Sequence, residues 1–156
     1  EFRVTDICPR IEDAVALAAF ARALVACAAA GEIVADPWPS TSTDLAHAIL
    51  SGNEWRAARF GIDAELVDPT TPKGTTLLRE AIRRLLERVA PFAEQLGDAD
   101  AIRGIESILQ RGSAAERMRR AFRECGGFRP LVSWLTGETL LGVGLDRRSE
   151  QRNACA

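Results

Sequence analysis

The clearest pattern in the chain is the helical spacing of apolar residues between positions 77 and 89. Arginine and glutamate occupy the intervening positions, as expected of a helix with one covered face and one face in water. The apolar face is formed by Leu77, Leu78, Ala81, Ile82, Leu85, Leu86 and Val89. Pro91 is expected to kink or restart this helix, because proline lacks a backbone donor and its ring crowds the preceding turn.

A second helix is predicted from about Ile11 to Ala30, and Gly31 is expected to end it. The segment is rich in alanine and apolar nearly all round, and Arg22 is its one charged residue after Asp13. A helix of this kind is expected to be enclosed by other elements. It is short for a bilayer and is broken by a charge, so we do not interpret it as a membrane span.

Shorter helices complete the prediction, and small polar residues mark their starts. Thr43 is expected to cap a helix that Ser51-Gly52 interrupts. Ser113 opens another helix through a capping box with Glu116. The expected ranges are 44–50, 53–60, one helix carrying 102–109, 114–125 and 130–141, with a short extended segment at 63–67.

The first seven residues alternate as a strand, with Phe2, Val4 and Ile7 apolar. The predicted fold class is therefore mainly α, with about five to seven helices and one N-terminal strand. Glu1 and Arg3 share the other face, roughly 7 Å apart. A carboxylate can hold a divalent cation and a guanidinium can hold a phosphate bridged by that cation. The alternative is an ion pair on a solvated face.

Composition narrows the classes of function. With 156 residues, 47% of them hydrophobic, the chain can form one domain with a real core. We assign residues 1–141 to that domain and expect 142–156 to be a flexible tail. A net charge of −2 gives no reason to expect nucleic acid or a membrane as a partner. Four cysteines without C-x-x-C spacing and one histidine argue against zinc and favour reduced thiols in the cytoplasm.

Three blocks of residues resemble one family of enzymes. Glu1–Pro9 reads E-x-R-x-x-D-x-x-P, and residues 53–64 read N-x-W-x-A-x-R-x-G-I-D-A, followed by Val67-Asp68-Pro69. Arg111–Arg117 is similar to the family's glycine-to-arginine stretch near its end. Together the blocks resemble the YbdK-type carboxylate–amine ligases, or type 2 glutamate–cysteine ligases, of the glutamine synthetase and glutamate–cysteine ligase superfamily. The resemblance extends from Glu1 to about Leu135.

The resemblance implies an ATP-dependent ligase that joins a glutamate-like carboxylate to an amine through an acyl phosphate. Such chemistry needs cations around the transferring phosphoryl group, supplied by metal ions and arginines. By resemblance, Glu1 is a Mg²⁺ ligand beside the ATP phosphates, and Arg3 is the catalytic residue that contacts the phosphoryl group. Arg56, Arg59 and Asn53 are the candidates for binding the substrate carboxylate or a phosphate.

The family's enzymes are much longer, so the chain resembles the C-terminal portion of one catalytic domain. The missing N-terminal part is expected to supply most of an antiparallel sheet, giving an α+β domain, and the chain is expected to be inactive without it. The implied partners are that missing part and the carboxylate and amine substrates, and a homo-oligomer is left open. Glu54 and Met118 depart from the family pattern, so the amine, for which cysteine is one candidate, also stays open.

Structural interpretations compete with these roles. The alternative for Arg59 is a cation–π stack on Trp55, and for Arg56 an ion pair with an acid such as Asp63. His47 is expected at the edge of the core. The early arginines of the 114–125 helix are expected to face solvent: Arg117, Arg119 and Arg120. The alternative function is a non-catalytic helical interaction module or a degenerate relative.

Overall fold

The structure is a computed structural model, and it describes residues 8–33, 38 and 41–141. This part of the chain is mainly helical and contains one two-stranded sheet, which confirms the predicted fold class. The predicted opening strand, with Glu1 and Arg3, lies outside the described residues, as does the predicted tail over 142–156.

Seven helices and two strands follow one another in the described ranges, with a 3₁₀ turn at Gly61–Asp63. They are α1 (Ile11–Ala29), α2 (Thr43–Phe60), β1 (Glu65–Val67), β2 (Thr75–Leu77), α3 (Leu78–Gln95), α4 (Ala99–Ile102), α5 (Gly104–Arg111), α6 (Ala114–Cys125) and α7 (Phe128–Leu140).

The chain divides into two compact units, and α1 contributes to both. Unit 1 comprises Glu1–Ala21 and Gly97–Ala156, and it is described over 8–21 and 97–141. Its core contains mostly small and branched apolar residues: Ala16, Ala19, Ile102, Ile105, Leu109 and Ala121. Gly104 lies so close to α1 that a Cβ added to it would lie 2.7 Å from the Ala16 Cβ.

Unit 2 comprises Arg22–Leu96 and has a core of its own. That core is formed by Ala23, Cys27, Ile62, Ala64, Val89 and Ala93. Strands β1 and β2 pair antiparallel, with Leu66 opposite Thr76. The sequence predicted the extended segment at β1 but not its pairing with β2, because strands of three residues carry too little alternation to reveal a partner.

The predicted helix break at Ser51-Gly52 is wrong, and the N-cap of α2 is displaced by one residue. Helix α2 runs continuously through Ser51-Gly52, because one glycine in a helix costs only about 1 kcal/mol. Its cap is Ser42, whose hydroxyl accepts a hydrogen bond from the Leu45 amide, and not Thr43. Helix α3 continues through Pro91, so the helix does not restart there, and a kink at this position stays a prediction.

A break that the sequence did not predict separates α4 from α5 at Arg103. The capping box of α6 is confirmed: the Ser113 hydroxyl accepts from the Glu116 amide, and the Ser113 amide donates to the Glu116 carboxylate at 2.7 Å. Gly126 ends α6 in the left-handed conformation, with φ of 72°.

Within the described residues α1 is covered on one side only, so the expected enclosure by other elements is seen there in part. Three of its large apolar side chains are exposed, namely Ile11, Val15 and Val25. The described elements cover only the opposite side of the helix, where Ala16, Ala19, Ala23 and Cys27 are buried.

Candidate functional site

The N-x-W block forms the second half of α2, next to β1, and its asparagine fixes the strand to the helix. The Asn53 Nδ2 donates to the Val67 carbonyl and the Asn53 Oδ1 accepts from the Val67 amide, both at 2.8 Å. These two hydrogen bonds join Asn53, at the start of the N-x-W block, to the Val67-Asp68-Pro69 sequence that follows the block. One amide hydrogen and one oxygen lone pair of Asn53 are left over, and its part in substrate binding stays a prediction.

Arg56 lies on the same side of α2 as Asn53 and is half-buried. Within the described ranges, its guanidinium forms no hydrogen bond and no ion pair. The alternative pairing with Asp63 does not form, because Asp63 accepts from the Arg79 Nε at 2.7 Å instead. A half-buried guanidinium without a counter-charge favours the binding of an anionic group, such as a carboxylate or a phosphate.

Arg59 is exposed and lies over the ring of Phe60, with its Cζ 5.8 Å from the ring centroid. Trp55 contacts the same ring edge-on, with the two centroids 5.8 Å apart. The expected stack of Arg59 on Trp55 is therefore replaced by a stack on Phe60. Both aromatic side chains are more than half exposed, at 61% for Trp55 and 55% for Phe60.

The third block builds a buried ionic cluster in unit 1. Asp13 of α1 accepts from Arg111 at 2.9 Å and from Arg117 at 2.7 Å. Arg117 is only 4% exposed and also donates to the Gly112 carbonyl at 2.9 Å. The expectation that Arg117 faces solvent is therefore wrong, although Arg119 and Arg120 are exposed as predicted.

The same cluster continues through Glu138 of α7. Arg10 donates to both Glu138 carboxylate oxygens, at 2.5 and 2.9 Å. This hydrogen bond raises the pKa of Arg10 above its usual value; burial opposes that shift, and the charges of Glu138, Asp13 and Glu12 add to it. The Arg117 Nε lies 3.8 Å from the Glu138 carboxylate. The cluster thus opposes three arginines with two carboxylates.

Sequence reasoning missed this cluster, although one signal was present. Asp13 and Glu138 are acids on the inner sides of their helices, and a buried acid needs a cationic partner. Their partners lie about 100 and 128 positions away along the chain, so no local pattern identifies them.

The remaining site predictions have mixed outcomes. Glu1 and Arg3 lie outside the described residues. His47 is exposed, so its predicted place at the core edge is wrong. No group of three or more histidine, cysteine, aspartate or glutamate side chains that could hold a metal ion is found among residues 8–33, 38 and 41–141. Over those same ranges, no helix combines the length and the apolar character needed to cross a bilayer.

Within the described ranges, the Asp13 cluster joins helices, and the guanidinium of Arg56 has no carboxylate partner, so its binding of an anion stays a prediction. The model of the glutamate–cysteine ligase family 2 matches residues 1–134, which include the N-x-W block with Arg56. The chain belongs to this family of ligases.

Curated relatives are consistent with the family match. A Frankia alni protein with the provisional name glutamate–cysteine ligase 2-2 is 36% identical over 141 residues, which are 89% of this chain and 35% of that protein. A Solibacter usitatus protein with the provisional name glutamate–cysteine ligase 2 is 31% identical, over 92% of this chain and 36% of its own length. The chain thus spans about a third of the length of these relatives. No solved structure matches the chain.

Proposed function

We propose that the chain is the C-terminal part of an ATP-dependent ligase, which joins a glutamate-like carboxylate to an amine through an acyl phosphate. The observation that carries this proposal is the family match over residues 1–134, which include the E-x-R residues and all of α2. The half-buried guanidinium of Arg56, which has no counter-charge among the residues that the structure describes, supports it, because a ligase of this kind must bind two anionic groups, a carboxylate and a triphosphate.

The proposed roles follow the charges that the reaction develops. Glu1, together with carboxylates from outside this chain, would hold Mg²⁺. Arg3 would stabilise the transferring phosphoryl group with its planar guanidinium. Arg56 would bind the substrate carboxylate or a phosphate, with Arg59 beside it. ATP and Mg²⁺ supply the activated phosphoryl group, and the rest of the ligase supplies the nucleotide pocket.

The test needs a protein of family length, so we define a chimaera: the Frankia alni relative with its matching third replaced by this chain. We expect the chimaera to release ADP when it is given ATP, Mg²⁺, glutamate and a mixture of amines, and the 156-residue chain alone to release none. The Arg56→Ala variant should raise the KM for one anionic substrate at least tenfold, since charged hydrogen bonds contribute about 1.5–3 kcal/mol.

Two controls make the outcome decisive. Arg88→Ala removes an equal charge from the solvated face of α3 and should leave KM and kcat unchanged. Arg3→Lys keeps the charge and should lower the single-turnover rate about tenfold or more, because the planar fork is lost. A chimaera that melts like its Frankia parent but turns over no ATP, while the parent does, would favour the non-catalytic interaction module.

A further inference from the structure

Helix α2 carries the candidate binding arginines, yet little apolar packing holds it in place. Over its described length, Thr43–Phe60, no residue is fully buried. Four of its large apolar side chains are more than half exposed: Leu45, Leu50, Trp55 and Phe60. The helix packs mainly on β1 and on the 3₁₀ turn. A helix is usually held by one buried apolar face, so the position of α2 depends to an unusual degree on specific polar contacts.

Asn53 supplies such a contact at the outer edge of β1. Its carboxamide forms two hydrogen bonds with the backbone of Val67, both 2.8 Å long. The Asp68 amide donates to the Gly74 carbonyl across the hairpin, so the neighbouring Val67–Thr75 pair has its amide and carbonyl groups pointing outward. Asn53 therefore pairs with β1 as a further strand would, and it satisfies backbone groups that a strand edge leaves open.

The pairing requires a side-chain amide at this position. The Val67 amide needs an acceptor and the Val67 carbonyl needs a donor, so only one orientation of the Asn53 carboxamide satisfies both. Aspartate would place a second acceptor against the carbonyl, and alanine would leave both backbone groups without the side chain. Both ends of the Asn53 side chain are thus committed to the strand, which favours a supporting role over contact with a ligand.

Arg56 is the residue whose position this attachment controls. It lies about one turn beyond Asn53 on the same side of α2, and its half-buried guanidinium has no counter-charge among the described residues. One helical turn is about 5.4 Å long, so a tilt or rotation of α2 at Asn53 moves Arg56 directly. A misplacement of about 1 Å in a binding group can cost on the order of 100-fold in rate.

We propose that Asn53 is a positioning residue of the ligase. It holds α2 to the β1–β2 hairpin through the backbone of Val67, and it thereby sets where the Arg56 guanidinium meets an anionic substrate. Asn53 itself does not contact the substrate, so this role differs from the one that the resemblance implies for it. The inference rests on the proposed function, because that function gives Arg56 its ligand.

The test is a double-mutant cycle in the chimaera. Titration calorimetry gives the dissociation constants of glutamate and of a non-hydrolysable ATP analogue with Mg²⁺. Arg56→Ala should weaken one of the two ligands at least tenfold, and Asn53→Ala should weaken the same ligand roughly tenfold. Because Asn53 acts through Arg56, the double variant should bind at most about twofold more weakly than Arg56→Ala alone. Ser42→Ala removes the N-cap at the other end of α2 and should change neither constant.

Amide exchange checks the attachment without any ligand. In the chimaera, the peptide covering residues 65–68 should exchange about tenfold faster or more in Asn53→Ala than in the unchanged protein, because the Val67 amide loses its acceptor. Ser42→Ala should leave that peptide unchanged. If Asn53→Ala does not fold, Asn53→Ser takes its place, since serine stays polar but is too short to reach both backbone groups.

Each other outcome overturns the inference. A double variant weakened by the product of the two single effects would give Asn53 a ligand contact of its own. Unchanged exchange at Val67 in Asn53→Ala would remove the attachment, and an Arg56→Ala variant that weakens neither ligand would leave nothing to position. ADP release is measured on the same samples: release without the coupling removes only the positioning role, and the coupling without release removes only the ligase chemistry.

Discussion

At the scale of single residues, the chain uses its charged side chains in two different ways. Asp13 and Arg117 are buried, hydrogen-bonded to each other and removed from solvent. Asp100 and Arg103 form an ion pair that is just as short, 2.6 Å, but their side chains are 94% and 77% exposed. Burial and not distance separates the two pairs, because water screens an exposed charge and a buried one has only its partners.

A matched pair of substitutions tests this difference. Asp13→Asn keeps the shape of the side chain but leaves Arg111 and Arg117 facing a neutral group. It should lower the free energy of unfolding by about 3–5 kcal/mol, the usual effect of breaking a buried ion pair. Asp100→Asn should change it by less than about 1 kcal/mol. Urea denaturation measures both, and equal effects would contradict the structural role given to the cluster.

At the scale of elements, close packing between helices decides which glycines matter. Gly52 lies in the middle of α2, and Gly104 is the first residue of α5. A Cβ on Gly52 would meet nothing within 4 Å, whereas a Cβ on Gly104 would meet Ala16 at 2.7 Å. Gly104 thus sets how closely α5 approaches α1, and Gly52 only loosens α2.

The two glycines should respond to alanine with opposite signs. Gly52→Ala should raise the free energy of unfolding by about 0.5–1 kcal/mol, because alanine loses less backbone entropy in a helix. Gly104→Ala should lower it by about 1–3 kcal/mol, because overpacking pushes α5 away from α1. Thermal unfolding of both variants checks the signs, and a stabilised Gly104→Ala protein would show that the helices do not touch there.

At the scale of the whole molecule, each of the two compact units buries apolar residues of its own within the described ranges. Leu109 and Val89 are the largest fully buried apolar residues of unit 1 and unit 2 respectively. Many of the other buried residues are alanines, so each core relies on few large side chains and on close contact between backbones.

Two separate protected regions are therefore expected in hydrogen exchange. The slowest amides should lie in peptides covering Ile105–Leu109 of α5 and Val89–Ala93 of α3, because buried helix segments open only with their unit. The turn from Pro69 to Gly74 should exchange quickly. Exchange with mass spectrometry of the 156-residue chain measures this, and slow amides confined to one of the two regions would contradict the division into two cores.

Local signals in the sequence were enough for most elements, while the roles of the site residues stay predictions. The periodicity of α3, the Ser113 capping box and the extended segment at β1 were predictable, since each depends on residues close together in the chain. The resemblance placed Arg56 and Asn53 in one block, but not the attachment of Asn53 to Val67. The structural alternative for Arg59 named the ring of Trp55, whereas the guanidinium lies over Phe60, because two aromatic residues lie within reach on α2.

The sequence by itself determined the helical class of this protein and its family, because helix spacing, caps and the three residue blocks are local or linear features. Only the tertiary structure decided which charges are paired and which faces are covered. Asp13 is hydrogen-bonded to Arg117, and Arg10 to Glu138, across more than 100 positions of the chain. Helix α1 has apolar side chains on a side that the described elements do not bury. Such facts depend on where distant segments meet in space, and no spacing along the chain encodes them.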